Sequence, residues 1–143
     1  MDNITVLLVD DEAPFVETMA KRLKKRDLDI IPALSGEAAL ELLQKHANIE
    51  VVILDVKMPG MDGIETLREI KKSYPLAEVI MLTGHATVET GIEGMKLGAF
   101  DYLMKPCDTE QLVSKVNQAA VKLRRHQNKI LEARIKEITS RRP

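Results

Sequence analysis

Five short apolar runs alternate along this chain with five stretches of helical period. Ile4–Val9 is dominated by β-branched residues and leucine, as a strand buried on both faces requires. Residues 13–26 carry Phe15, Met19 and Leu23 at i, i+4 and i+8, one stripe of an amphipathic helix. Leu28–Leu34 predicts a second strand. Ser35 then caps a helix that opens at Gly36 and holds Ala39, Leu40 and Leu43. Val51–Leu54 is the third and most hydrophobic strand. Met58–Gly63 is a loop dense in turn residues. Ile64–Ser73 is helical and stops at Tyr74-Pro75, because proline disfavours helical backbone in the residue before it. Glu78–Leu82 reads as the fourth strand, residues 86–97 as a helix closed by Gly98, and Phe100–Met104 as the fifth strand. A last helix is expected from the N-cap Asp108 to about residue 138.

Strands and helices alternating at this spacing imply right-handed βαβ units and a parallel sheet. Five of each in about 120 residues fit an α/β, flavodoxin-like doubly wound sandwich with strand order 2-1-3-4-5 and an extended C-terminal helix. The chain of 143 residues is long enough for one domain with its own core. Aromatic residues are only 3% and tryptophan is absent, so that core is aliphatic and a base-stacking nucleic-acid surface is not expected. Cys107 is the single cysteine, which excludes an internal disulfide and a multi-cysteine zinc site. Met1-Asp2-Asn3 does not open a signal peptide, and no apolar stretch approaches the roughly 18 residues of a membrane span. A reducing cytoplasm is the expected compartment.

Chemistry enters at the strand ends. Strand 1 runs into Asp10-Asp11-Glu12, strand 3 into Asp55, strand 4 into Thr83-Gly84 and strand 5 into Lys105-Pro106. In the expected fold all four ends share the rim where such sheets bind ligands. Carboxylates crowded in one cleft repel each other unless a cation neutralises them. An oxygen-only donor set with room for water points to Mg²⁺. Mg²⁺, an ammonium and a hydroxyl together suit a transferring phosphoryl group, and a carboxylate can be its nucleophile. Asp55 is the best candidate because it ends the central strand. Gly84 leaves room beside Thr83, Gly60 and Gly63 permit positive φ in the loop after Asp55, and Pro106 is a candidate for a cis bond.

Leu7-Leu8-Val9-Asp10-Asp11-Glu12, Ile53–Gly63, Met81-Leu82-Thr83-Gly84 and Tyr102-Leu103-Met104-Lys105-Pro106 together resemble the receiver domain of two-component response regulators, in order and at that family's spacing. The resemblance covers roughly residues 3–122. It implies phosphorylation of Asp55 by a sensor histidine kinase or a phosphotransfer protein. It implies Mg²⁺ held by Asp11, Asp55 and the Lys57 carbonyl, with Asp10 acting mainly through a metal-bound water. Thr83 would hydrogen-bond the phosphoryl group and Lys105 would pair with it. Tyr102 would be the switch aromatic, and residues 86–120 the output surface of helix 4, strand 5 and helix 5. Lys57 and His85 would flank the path of the attacking water. A signalling domain is implied rather than a turnover enzyme. A haloacid-dehalogenase-type phosphatase needs an acid where Lys57 stands, and a flavodoxin needs a neutral phosphate loop where Asp10-Asp11-Glu12 stands.

The resemblance divides the chain into a receiver at residues 1–122 and a basic helical extension at 123–143. Residues 121–143 hold eight Lys/Arg against Glu132 and Glu137, a charge of +6 beside a body of −7. Too few residues follow the receiver for a helix-turn-helix, so no direct DNA binding is expected, and the chain reads as a stand-alone receiver or one cut from a longer regulator. Val116, Leu123 and Ile130 are spaced by seven, and Leu131, Ile135 and Ile138 form a shifted stripe. A frayed basic helix and a helix that pairs with a second copy or docks on a partner are both open readings. Homodimers through helix 4, strand 5 and helix 5 or through the C-terminal helix are the expected assemblies.

Overall fold

The computed structural model describes residues 3–141. Its strands are β1 (Thr5–Val9), β2 (Asp29–Ala33), β3 (Val51–Leu54), β4 (Glu78–Thr83) and β5 (Asp101–Met104). They alternate with α1 (Ala13–Lys24), α2 (Gly36–Lys45), α3 (Gly63–Ser73), α4 (Val88–Lys96) and α5 (Thr109–Ser140). All strand pairs are parallel, in the order β2-β1-β3-β4-β5. The expected architecture is therefore the observed one.

The alternation of side chains along each strand explains why the central strands are apolar at nearly every position. Val6, Leu8, Ile53, Ile80 and Leu82 join Val16, Leu23, Leu112 and Val116 of α1 and α5 in one core. Leu7, Val9, Val52, Leu54, Val79 and Met81 join Leu43, Leu67 and Ile70 of α2 and α3 in another. Each fully buried leucine or isoleucine contributes about 1.5–3 kcal/mol of transfer free energy. These two layers fix the register, and the register builds the rim. Val9 pairs with Leu54, so Asp10 and Asp55 emerge side by side where the strand order reverses. Thr83 pairs with Met104, so Lys105 emerges beside them.

Several expectations are corrected. α1 ends at Lys24 rather than residue 26, and Asp27 follows with φ 61 in the turn that frees β2. α4 begins at Val88, not residue 86, because Thr87 and Thr90 form a reciprocal capping box that sets the first turn. Asp108 occupies the N-cap position of α5, yet its side chain makes no cap hydrogen bond. Gly60 does take positive φ, at 72, but Gly63 is glycine for another reason. A Cβ on Gly63 would lie 2.0 Å from the Asp55 carbonyl oxygen, so only glycine lets the start of α3 pack on the backbone of β3's end. Lys105-Pro106 is cis. Asp62 and Ser35 cap α3 and α2 through their side chains. Arg142 of the basic tail lies outside the described residues.

Candidate functional site

The acidic group at the switch point is compact. Asp10, Asp11 and Asp55 each offer an oxygen, and these atoms lie within 4.8 Å of one another. Asp10 and Asp55 are buried, whereas Asp11 is exposed. Asp10 spends both oxygens inside the protein. Oδ1 accepts the Glu12 N–H at 3.0 Å and Oδ2 accepts the Lys105 ammonium at 2.6 Å. Asp55 Oδ1 accepts the Val56 N–H at 2.8 Å, which leaves Oδ2 facing Lys105 at 3.8 Å. Burial raises the Asp10 carboxyl above its ordinary range, and the nearby Asp55 adds to this, against the Lys105 hydrogen bond. Burial opposes the charge on Lys105, but the hydrogen bond and charge of Asp10, with Asp55 and Glu12 behind it, hold the ammonium above its usual value.

Thr83 is fully buried, and its hydroxyl accepts the His85 N–H at 3.0 Å. Lys57 is exposed and lines an open cleft of about 490 Å³ with Asp11, Glu12, Asp55, Met58, Pro59 and His85. Tyr102 is half-buried. Its hydroxyl meets Thr90 Oγ1 at 2.6 Å, and its ring lies against Gly91 and Gly94. The phenol is thus tied to the capping box at the start of α4. The fold therefore brings Asp10, Asp11, Asp55 and Lys105 to one spot, with Lys57 on the wall of the same cleft. Thr83 stands at the end of the neighbouring strand and Tyr102 one strand further on.

Two contributors carry no clear mark in the sequence. Phe15 sits under the Lys105 ammonium, 4.1 Å from ring centroid to Nζ. Phe15 was legible only as a core position of α1. Thr90 had no signal apart from its place in the first turn of α4. The chemistry of the donor set fits a hard divalent cation: three carboxylates, no sulfur, and an open face that admits water.

A doubly wound parallel sandwich with an acidic cluster and a lysine at its switch point is not a dinucleotide binder's arrangement, which places a glycine-rich phosphate loop there. The sequence profile of the response regulator receiver domain matches residues 6–117, and the chain belongs to that family. It is therefore a receiver domain of two-component signal transduction. It is 38% identical over 118 residues to the transcriptional regulatory protein ZraR of Escherichia coli K12. That alignment takes in 82% of this chain and 26% of ZraR, so the chain spans about a quarter of the relative's length. A response regulator receiver domain protein from Clostridium thermocellum superposes with TM-score 0.79 at 35% identity, covering 90% of this chain and 98% of that one. The NtrX receiver domain from Brucella abortus gives TM-score 0.75 at 31% identity, over 80% and 97% of the two chains. A CheY-like receiver from Methanospirillum hungatei, 24% identical, shares the fold with TM-score 0.82 over 87% and 98%. No helix among the described residues is long and apolar enough to cross a membrane.

Proposed function

We propose that this chain is a phosphorylation-controlled switch in which Asp55 accepts a phosphoryl group from a sensor histidine kinase or a phosphotransfer protein. The observation that carries the reading is the convergence of Asp10, Asp11 and Asp55 within 4.8 Å, with Lys105 inserted among them. In the transfer a P–N bond of phosphohistidine breaks and a P–O bond to Asp55 forms. Oδ1 is held by the Val56 amide, so Oδ2, the oxygen facing Lys105, is the nucleophile. Asp11, Asp55 and the Lys57 carbonyl would hold Mg²⁺ directly. Asp10, whose oxygens are both engaged, would reach it through water. Bound there, the ion would offset the carboxylates and the charge on the phosphoryl oxygens.

After transfer Lys105 exchanges Asp10 for the phosphoryl group, and Thr83 turns its hydroxyl to the same group. Tyr102 follows Thr83 inward and gives up its hydrogen bond to Thr90. The output is a change on the face of α4, β5 and α5, where Val88, Ile92, Met95 and Met104 are exposed. A partner protein reads that face, or a second copy pairs on it or on the C-terminal helix. Residues 1–122 form the receiver unit and 123–143 the basic extension, acting in the cytoplasm as a signalling domain and not as a turnover enzyme.

Intact mass after incubation with acetyl phosphate tests the reading. One phosphoryl adduct that requires both Mg²⁺ and Asp55, and is absent from Asp55→Asn, is the expected result. An adduct retained by Asp55→Asn would place the chemistry elsewhere.

A further inference from the structure

We infer that Phe15 is a positioning residue for the phosphoryl transfer: the face of its ring supports the Lys105 ammonium as that group leaves Asp10 for the phosphoryl group on Asp55. The inference rests on the phosphoacceptor reading above and deepens it by naming what holds Lys105 between its two partners.

At rest Lys105 Nζ donates to Asp10 Oδ2 at 2.6 Å, with Glu12 Oε1 at 3.5 Å and Asp55 Oδ2 at 3.8 Å. A phosphoryl group on Asp55 Oδ2 draws the ammonium away from the shortest of these contacts. The lysine side chain is only 15% exposed, so bulk water can do little to solvate the charge during the exchange. Neither of the other carboxylates replaces Asp10. Glu12 is exposed and its contact is long, and Asp55 is the group that reacts.

Phe15 supplies the missing support. Its ring centroid lies 4.1 Å from Nζ, close enough to exclude water from that side of the ammonium. A ring face attracts a cation through its quadrupole anywhere over the ring within about 6 Å of the centroid. A hydrogen bond to a carboxylate, by contrast, weakens as soon as it lengthens or bends. The ammonium can therefore cross the ring face with little loss while its directional bond is exchanged. The distance to cross is short. Closing the 3.8 Å gap on the Asp55 side to a charge-assisted contact of about 2.8 Å takes a shift of about 1 Å.

One piece of backbone carries both the ring and the acidic group. Asp10 accepts the Glu12 N–H, the Glu12 carbonyl accepts the Val16 N–H at 3.1 Å to open α1, and Pro14 fixes the first turn. The ring packs against the core that α1 and α5 form on one side of the sheet. A leucine at position 15 would fill much of the same space and offer the ammonium no attraction.

The experiment follows the rate of adduct formation on the full chain with acetyl phosphate and Mg²⁺, by intact mass. In this reaction the P–O bond to the acetyl group breaks, a P–O bond to Asp55 Oδ2 forms and acetate leaves. Phe15→Leu should slow it about tenfold, equal to about 1.4 kcal/mol of barrier. Phe15→Tyr, which keeps the ring face, should react within about twofold of the unsubstituted chain. Fluorinating the Phe15 ring at one, two and then three positions withdraws charge from its face with little change of size. The rate should fall stepwise along that series, and a role in packing alone predicts no such steps. Equal rates across the fluorinated series, or a Phe15→Tyr variant as slow as Phe15→Leu, would reduce Phe15 to core packing and overturn the inference while the phosphoacceptor reading stands. No adduct on the unsubstituted chain, or one kept by Asp55→Asn, would overturn both.

Discussion

At the amino end of the sheet the half-buried Glu50 and the buried Glu78 have cations of their own, whereas at the carboxyl end three carboxylates share one lysine. Glu50 takes a bidentate pair from Arg124, at 2.7 and 2.9 Å, that clips α5 to the start of β3. Glu78 at the start of β4 lies between Lys71 at 3.6 Å and Lys122 at 3.4 Å. Lys71 also donates to the carbonyls of Pro75 and Ala77. Burial pushes the Lys71 ammonium below its usual value in spite of Glu78. At the other end Lys105 faces Asp10, Glu12 and Asp55 together, at 2.6, 3.5 and 3.8 Å. One edge of the molecule matches its carboxylates with separate cations and serves stability, while Glu78 Oε1 accepts no hydrogen bond. The other is short of positive charge, which is where the proposed cation and phosphoryl group would bind.

Three substitutions or additions sharpen or break this contrast. The largest expected effect is at the amino edge. Glu78→Ala leaves Lys71 partly buried without its counter-charge and should cost about 3 kcal/mol, read by urea unfolding. Next is the addition of Mg²⁺. In hundredfold excess over its dissociation constant it should stabilise the native protein by about 2.7 kcal/mol. The thermal midpoint should rise, and Asp11→Ala should abolish the rise. A rise of equal size in that variant would detach Asp11 from the metal. The smallest is Asp10→Asn, which removes a carboxylate that burial already disfavours. It should change stability by no more than about 1 kcal/mol, in the stabilising direction. A loss as large as that of Glu78→Ala in the same urea series would erase the difference between the two edges.

Much of this was legible in the residues because the decisive signals are local. Runs such as Val51–Leu54 have to be strands buried on both faces, and their spacing from the helical stripes dictates a parallel sheet. Asp10, Asp55, Thr83 and Lys105 are visible as polar residues that end apolar strands, and pleat and register do the rest. What escaped depends on approaches between distant segments. No pattern in the sequence says that Gly63 must come within 2.0 Å of Asp55's carbonyl if given a Cβ. None says that Phe15 will lie beneath Lys105, or that Thr90 will meet Tyr102. Asp108 shows the converse: its residue type suits a cap, but its side chain makes none.

α4 has a consequence for time rather than for shape. It is nine residues long, contains Gly91 and Gly94, and has only Gly94 buried. Each internal glycine costs a helix about 1 kcal/mol relative to alanine. Where α3 is nailed down by Ile64, Leu67 and Ile70, α4 buries only Gly94, set beside Tyr102, Met81 and Ile64, with an Arg68–Glu93 ion pair and a capping box as further ties. A helix held this lightly opens locally at a free energy below that of global unfolding, so it samples released arrangements many times during a single unfolding lifetime of the core. Under the proposed switch, a signal that displaces Tyr102 would then have only to lengthen the dwell in a state the helix already visits.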